Sequence, residues 1–251
     1  MRMCGRFALS MSPGDLVEEF TITMGFDGPA LPANWNVTPT SPVYAIRDKQ
    51  ENIRELFTPS WGLIAPWSKD QASALKSQSS AINARIESVH EKPTFRGAFR
   101  SRRCIIPVTG YYEWATENGP FAPKQPFYIH SRDVLALAGI FDRWVDSNGE
   151  IHESCSIITR PAIGQLAEIH HRMPTFLTHE RWSAWLNPEP HEEAELRIIL
   201  DDVNGASELT QEVVAELVVD PVSTQVNYTR NNGPELIVPE PIPSQPSLFG
   251  E

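Results

Sequence analysis

Cysteine is scarce: three residues in 251, at positions 4, 104 and 155, with no CxxC pair and no even framework. This excludes a disulfide-built scaffold and a thiolate metal knot, and it fits a reducing compartment. Cys104 and Cys155 sit in apolar, strand-like runs and read as small buried hydrophobes. No run of 18 apolar residues exists, which excludes a membrane-spanning helix by length. No apolar h-region follows Arg2, so no secretory signal is expected. GxGxxG, the P-loop, HExxH and GxSxG are all missing, which removes support for nucleotide folds and the common hydrolases. Internal repeats and metal-ligand spacings are missing too, so no metal and no cofactor is expected. Positive charge is also short, with 21 Lys and Arg against 32 Asp and Glu, a net −11. That balance opposes indiscriminate nucleic-acid binding.

The charge is unevenly placed, however. Residues 83–106 hold six bases and two acids, whereas residues 187–220 hold ten acids and Arg197 as their one base. A local basic face is therefore expected on an acidic protein. Hydrophobic content of 41% and charged content of 21% are those of a water-soluble globular chain long enough for a full core.

Ser12-Pro13-Gly14-Asp15 opens a helix, with Ser12 as N-cap, Pro13 at the first position and Leu16, Val17 and Phe20 on its apolar face. Residues 25–42, rich in Gly, Pro and Asn, read as loop, and so does the Ser, Gln and Lys-rich stretch after Trp67. Strands are expected at 42–47, 54–58, 103–108, 110–115, 126–130, 134–141, 153–159 and 222–228, with a hairpin turn at Asp146-Ser147-Asn148-Gly149. Helices are expected at 95–102, 161–169, 178–186 and 210–217. The fold class is α+β: a single domain, 1–238, on a curled, mostly antiparallel, barrel-like sheet with flanking helices. A flexible proline-rich tail, 239–251, follows.

Cys4 carries unusual chemistry if it becomes the first residue. An α-amine has a pKa of about 7.7–8.0 against roughly 10.4 for lysine, so on the order of a tenth is neutral at pH 7. A 1,2-aminothiol usable at neutral pH suits the capture of aldehydes. Glu113 lies among aromatics in Tyr111-Tyr112-Glu113-Trp114, and an apolar surround raises a carboxyl toward the acid/base range. His170 follows a helix on a loop, next to Arg172. Asn83, Arg85 and Glu87 share one face if residues 82–88 are extended. Arg85 and Arg172 carry the bidentate fork that suits phosphate. Cysteine, glutamate and histidine together describe either a thiol peptidase or an aldehyde-capturing site.

Taken in order, Cys4-Gly5-Arg6-Phe7, Asn36-Val37-Thr38-Pro39, Trp61-Gly62, Asn83-Ala84-Arg85-Ile86-Glu87, Gly110 to Trp114 and His170 to Pro174 resemble the SRAP family, the SOS-response-associated peptidases that process abasic sites. Asn227 to Leu236 is similar to its closing motif. The resemblance implies that Cys4 attacks the ring-opened aldehyde of an abasic site in single-stranded DNA. Its amine forms a Schiff base and its thiol closes a thiazolidine, leaving a covalent DNA–protein crosslink that protects damaged DNA. By the same resemblance Glu113 is general acid/base, His170 holds or protonates the sugar oxygen, and Asn83 orients the reacting groups. Arg6, Asn36, Pro39, Arg85 and Arg172 contact DNA, and Trp67 stacks on or wedges against bases. The family cysteine directly follows the initiator methionine, whereas Met1-Arg2 stand before Met3-Cys4 here. Initiation at Met3 is the simpler route to a free amine. Self-cleavage of the leader by Cys4, Asn83, Glu113 and His170 is the other.

Gln245-Pro246-Ser247-Leu248-Phe249 resembles the bacterial sliding-clamp-binding pentapeptide, so Gln245, Leu248 and Phe249 are the expected anchors. A monomeric, cytoplasmic and nucleoid-associated protein is the overall expectation. Two alternatives stay open at this level: a thiol (auto)peptidase, and a non-catalytic nucleic-acid-binding module.

Overall fold

The computed structural model describes residues 5–50, 53–117, 119–122, 124–202 and 208–241; Cys4 and the tail anchors Gln245, Leu248 and Phe249 lie outside them. The chain opens with strand β1 (Arg6–Leu9) and helix α1 (Pro13–Glu19). Ser12 Oγ accepts the Asp15 N–H, and the Asp15 carboxylate accepts the Ser12 N–H, so α1 starts where its capping box dictates. Strands β2 (Asn34–Val37), β3 (Ala45–Gln50), β4 (Ile53–Phe57) and β5 (Ser60–Trp61) follow. Helix α2 (Gln71–Ser80), strand β6 (Asn83–Arg85) and helix α3 (Pro93–Ser101) lead to the frame of the molecule.

That frame is three long strands, β7 (Arg103–Trp114), β8 (Pro126–Val145) and β9 (Ile151–Pro161). β7 and β8 run antiparallel from Arg103↔Ile140 to Trp114↔Pro126, with an irregularity between Val108 and Gly110. Glycine is required there because a Cβ at Gly110 would stand 2.4 Å from the Tyr128 ring. β8 turns into β9 at residues 146–149, where Asp146 Oδ1 accepts the N–H groups of Asn148 and Glu150 and Gly149 takes φ +82°. Strand β10 (Arg172–Pro174), helices α4 (His179–Leu186), α5 (Glu193–Ile199) and α6 (Glu208–Glu216), and strand β11 (Val218–Pro221) complete the chain. The sheet runs β10-β9-β8-β7-β1-β2, with β3 and β11 joined to β7 and β8, and β5 and β6 parallel to β9. Its ends do not meet, so the curled sheet stays open rather than closing as a barrel.

One face carries the main core, where Phe7 packs on Trp61 with ring centroids 4.9 Å apart and Trp185 is fully buried. Both buried tryptophans satisfy their indole N–H, on Ile82 O (3.0 Å) and Cys104 O (2.9 Å). The opposite face holds a smaller cluster of Ala8, Tyr112, Trp114, Tyr128, Val222 and Val226. Four local expectations are corrected. Residues 34–37 form a strand because β1 offers them a partner edge. Residues 71–80 form a helix although they bury only Ala74 and Gln78; Asp70 and Ser73 cap each other and supply the start signal. The stretch 161–169 yields only a 3₁₀ turn, Gly164–Glu168. The late strand is Val218–Pro221, and residues 224–227 coil as 3₁₀ instead of continuing it.

Candidate functional site

β9 gathers the site. Asn83 and Arg85 of β6 pair with Ile157 and Thr159, and Arg172 and Pro174 of β10 pair with Pro161 and Thr159. The segment before β10 is stitched to the end of β7 by Thr116 N–H on Ile169 O (3.0 Å). Glu113, two residues before the end of that strand's buried run, is only 2% exposed, and its Oε1 accepts the Trp114 N–H at 3.2 Å. Across the sheet Arg6 faces Tyr112, the neighbour of Glu113. The chain therefore enters β1 beside Glu113, and the segment that carries His170 meets the same end of β7, while Asn83 sits on β6 opposite Ile157 of β9.

His170 is 5% exposed, and its Nδ1 accepts the Arg172 N–H at 3.1 Å. Nδ1 is then the acceptor of a neutral ring, and Nε2 carries the proton. Burial, with the tilted His171 ring 4.3 Å away, pushes the His170 imidazole down to about 4. His170 thus works at neutral pH as a neutral N–H donor, not as an imidazolium. A stability signature follows. Above pH ~6.5 both folded and unfolded rings are neutral, and as pH falls toward 4 the unfolded chain takes up a proton that the folded one refuses. The His170-linked part of the stability is expected to drop by on the order of 2–3 kcal/mol over that window. Denaturant titrations of wild type and His170→Asn at pH 7 and pH 4.5 check this. Equal pH slopes for the two would rule it out.

Arg172 differs from its expected role. Its guanidinium forks onto both carboxylate oxygens of Glu87, with the Nη2–Oε2 contact at 2.9 Å, and also donates to Thr159 O at 2.7 Å. At 7% exposure it is a clamp between β10 and the turn after β6 rather than a free phosphate ligand. Glu87 leaves the expected strand face because β6 ends at Arg85 and the chain turns, Ser88 N–H bonding Arg85 O. Burial is the largest single influence on the Glu87 carboxyl and raises it, but the Arg172 hydrogen bond, the Glu87 backbone N–H and the charges of Arg172 and Arg85 together bring the net shift downward. Thr159, fully buried beneath Arg172, was not singled out by sequence; a threonine in a β-rich run gives no signal of its own.

Asn36 is likewise a tie. Its Nδ2 donates to the carbonyls of Val226, Tyr228 and Asn231, and its Oδ1 accepts from Arg6 at 2.7 Å. Arg6 is held half-buried by Asn36 and Val226 O, and burial lowers its pKa. Pro39 is partly exposed, while Arg85 and Trp67 reach solvent, Trp67 at 56% exposure. The expected basic face at 83–106 is smaller than its composition suggests. Arg103 is buried, with its guanidinium on carbonyls of Phe99, Arg100, Trp185, Asn187 and Glu189. Arg100 pairs with Glu192 and Arg102 with Asp142. Arg85, Lys92 and Arg96 have no ion pair among the described residues.

Similarity to known proteins decides the family. The model of the SOS response associated peptidase (SRAP) family matches residues 3–229. The chain belongs to the SRAP family. Among SRAP relatives, the abasic site processing protein YoqW of Bacillus subtilis is 34% identical over 235 residues, covering 94% of this chain and 99% of YoqW. The rat abasic site processing protein HMCES is 29% identical over 222 residues, 77% of this chain and 59% of HMCES. A crystal structure of a Bacteroides thetaiotaomicron protein superposes with a TM-score of 0.76 at 26% identity, covering 94% of this chain and all of that one. The SRAP fold and the motif order expected from sequence are thereby established. No helix among the described residues is long and apolar enough to cross a membrane.

Proposed function

We propose that this SRAP protein captures abasic sites in single-stranded DNA through a thiazolidine at Cys4. The observation that supports the reading is the register Arg6↔Tyr112, which leads the chain start to the end of β7 that holds Glu113 and is bonded to the segment before His170. The relatives' designation as abasic site processing proteins supports the same substrate class.

The chemistry balances without a cofactor. The sugar opens to the C1′ aldehyde as the C1′ hydroxyl gives up its proton and the ring oxygen gains one by way of water, while the His170 Nε2–H hydrogen-bonds the ring oxygen and steadies it. The Cys4 amine adds to C1′, and Glu113 passes a proton to the departing oxygen, which leaves as water. The thiol then adds to the resulting imine carbon, and its proton goes to the nitrogen. Asn83 orients the sugar, and the Glu87–Arg172 clamp sets the backbone that holds His170. Arg85 and Trp67 take phosphate and base contacts at the surface, Arg6 and Pro39 line the entry, and Asn36 keeps Arg6 in place. An acylated Cys4 amine cannot form the imine, and the SRAP match beginning at Met3 supports a chain whose Cys4 is exposed. Cleavage of a short leader by the same Cys4 is a second reading, favoured by the peptidase designation of the family. The tail anchors Gln245, Leu248 and Phe249 extend the proposal to a clamp contact, tested by deleting residues 245–251 and measuring clamp affinity.

The test is a denaturing gel. Protein with Cys4 exposed, verified by intact mass, is mixed with single-stranded DNA carrying an abasic site. An SDS-resistant adduct that is missing with a tetrahydrofuran analogue, which has no aldehyde, is expected. No adduct with the true abasic site would sink the reading.

A further inference from the structure

Residues 221–234, Pro-Val-Ser-Thr-Gln-Val-Asn-Tyr-Thr-Arg-Asn-Asn-Gly-Pro, contain no acid in a chain of net charge −11. Within them Asn227, Tyr228, Thr229 and Arg230 are all exposed. Tyr228 leaves 54% of its surface to solvent, and the Arg230 guanidinium lies 5.8 Å from its ring centroid. No carboxylate pairs with Arg230 among the described residues. A large ring and a cation held outward are unusual for a loop that is itself firmly bolted down.

The bolts are specific. Asn36 Nδ2 reaches Tyr228 O at 3.2 Å and Asn231 O at 2.8 Å. The Trp114 indole N–H donates to Asn227 Oδ1 at 2.7 Å, and the Trp35 N–H donates to Asn232 Oδ1 at 2.8 Å. Arg6 Nη1 reaches Val226 O at 2.8 Å. The loop is thus fastened to Arg6 and to Trp114, the residue after Glu113, on the border of the proposed site. Such pre-organisation removes most of the ordering entropy from binding.

From this placement we propose that the loop at residues 227–230 is a nucleotide platform. The Tyr228 ring stacks on a base of the single strand next to the captured sugar, and Arg230 meets the adjoining phosphate. Aromatic stacking accepts any base, while a guanidinium beside it supplies the electrostatic contact, the combination that single-strand binders use. The amides of Asn227 and Thr229's hydroxyl add polar contacts without negative charge. This inference rests on the single-strand reading above and gives a role to two residues of the closing motif to which that reading assigns none.

Fluorescence anisotropy with a fluorescein-labelled, undamaged single strand tests it on the full chain. Tyr228→Ala is expected to weaken binding about 5- to 100-fold, and Tyr228→Phe to restore it, since the ring rather than the hydroxyl stacks. Arg230→Gln is expected to reduce the slope of log K against log salt by about 0.7, one phosphate's worth for a single strand. Both positions are exposed, so melting temperatures serve as a control for folding. Wild-type binding matched by Tyr228→Ala would overturn the platform while leaving abasic capture standing. Failure of wild type to bind any single strand or form the adduct would overturn both.

Discussion

Cys4→Ala is expected to form no SDS-resistant adduct with abasic single-stranded DNA. Thiazolidine closure needs the thiol two bonds from the reacting amine's carbon, and alanine has none. The variant keeps a free α-amine of about the same pKa, so it still condenses reversibly with the aldehyde. Borohydride reduction should therefore trap the Cys4→Ala protein as a secondary amine, separating the imine step from ring closure. A protein that retains residues before Cys4 should fail in both assays, because its Cys4 nitrogen is an amide. Unreduced adduct from Cys4→Ala at the wild-type level would eliminate the aminothiol mechanism.

Glu113→Gln is expected to slow adduct formation by about 10²–10⁴-fold, the usual contribution of a positioned acid/base group. The substitution is nearly isosteric, and the Gln carbonyl can still accept the Trp114 N–H that Glu113 Oε1 accepts at 3.2 Å. What it removes is proton transfer, in a pocket where Glu113 is 2% exposed and bulk water gives little help. The loss should appear in the single-turnover rate on a quenched time course, while affinity for undamaged single strand stays at the wild-type value. An unchanged rate would take Glu113 out of the chemistry. A lowered affinity would instead make it a support for the DNA surface.

The legible parts of the fold were those with local causes. The α1 capping box, the turn at Asp146–Gly149 and the apolar runs of β7, β8 and β9 each follow from residues adjacent in sequence. β2 and α2 escaped for different reasons: Asn34–Val37 is a strand only beside β1, and α2 has a local cap at Asp70 and Ser73 but buries too little to show an apolar stripe. The same division runs through the site. Cys4, Glu113 and His170 stand out as residue types that fit either a thiol peptidase or an aldehyde-capturing site, and the collinear motifs group them with Asn83 before any contact is known.

Charge shows most clearly where local reading stops. The run at 83–106 reads as a basic face, yet Arg100 and Arg102 meet Glu192 and Asp142, and Arg103 turns inward onto backbone carbonyls. Those partners are distant in sequence, so no window of residues reveals them. Arg172 is the sharper case. A guanidinium two residues from His170 looks like a phosphate ligand until β6 and β10 flank β9 and deliver Glu87 to it.

Sequence alone determined the family, the candidate residue types and where the central strand runs lie, because each is written in residue identity, in order along the chain or in local alternation. That 103–108 joins 110–115 and 126–130 joins 134–141 as single strands is set by their pairing with each other. Tertiary structure alone decided which arginines of 83–106 keep no ion pair among the described residues, that His170 is neutral with its proton on Nε2, and that Tyr228 and Arg230 are exposed on a loop fastened to Trp114 and Arg6. Those properties depend on burial and on partners far apart in the chain, and only the folded pairing of strands sets them.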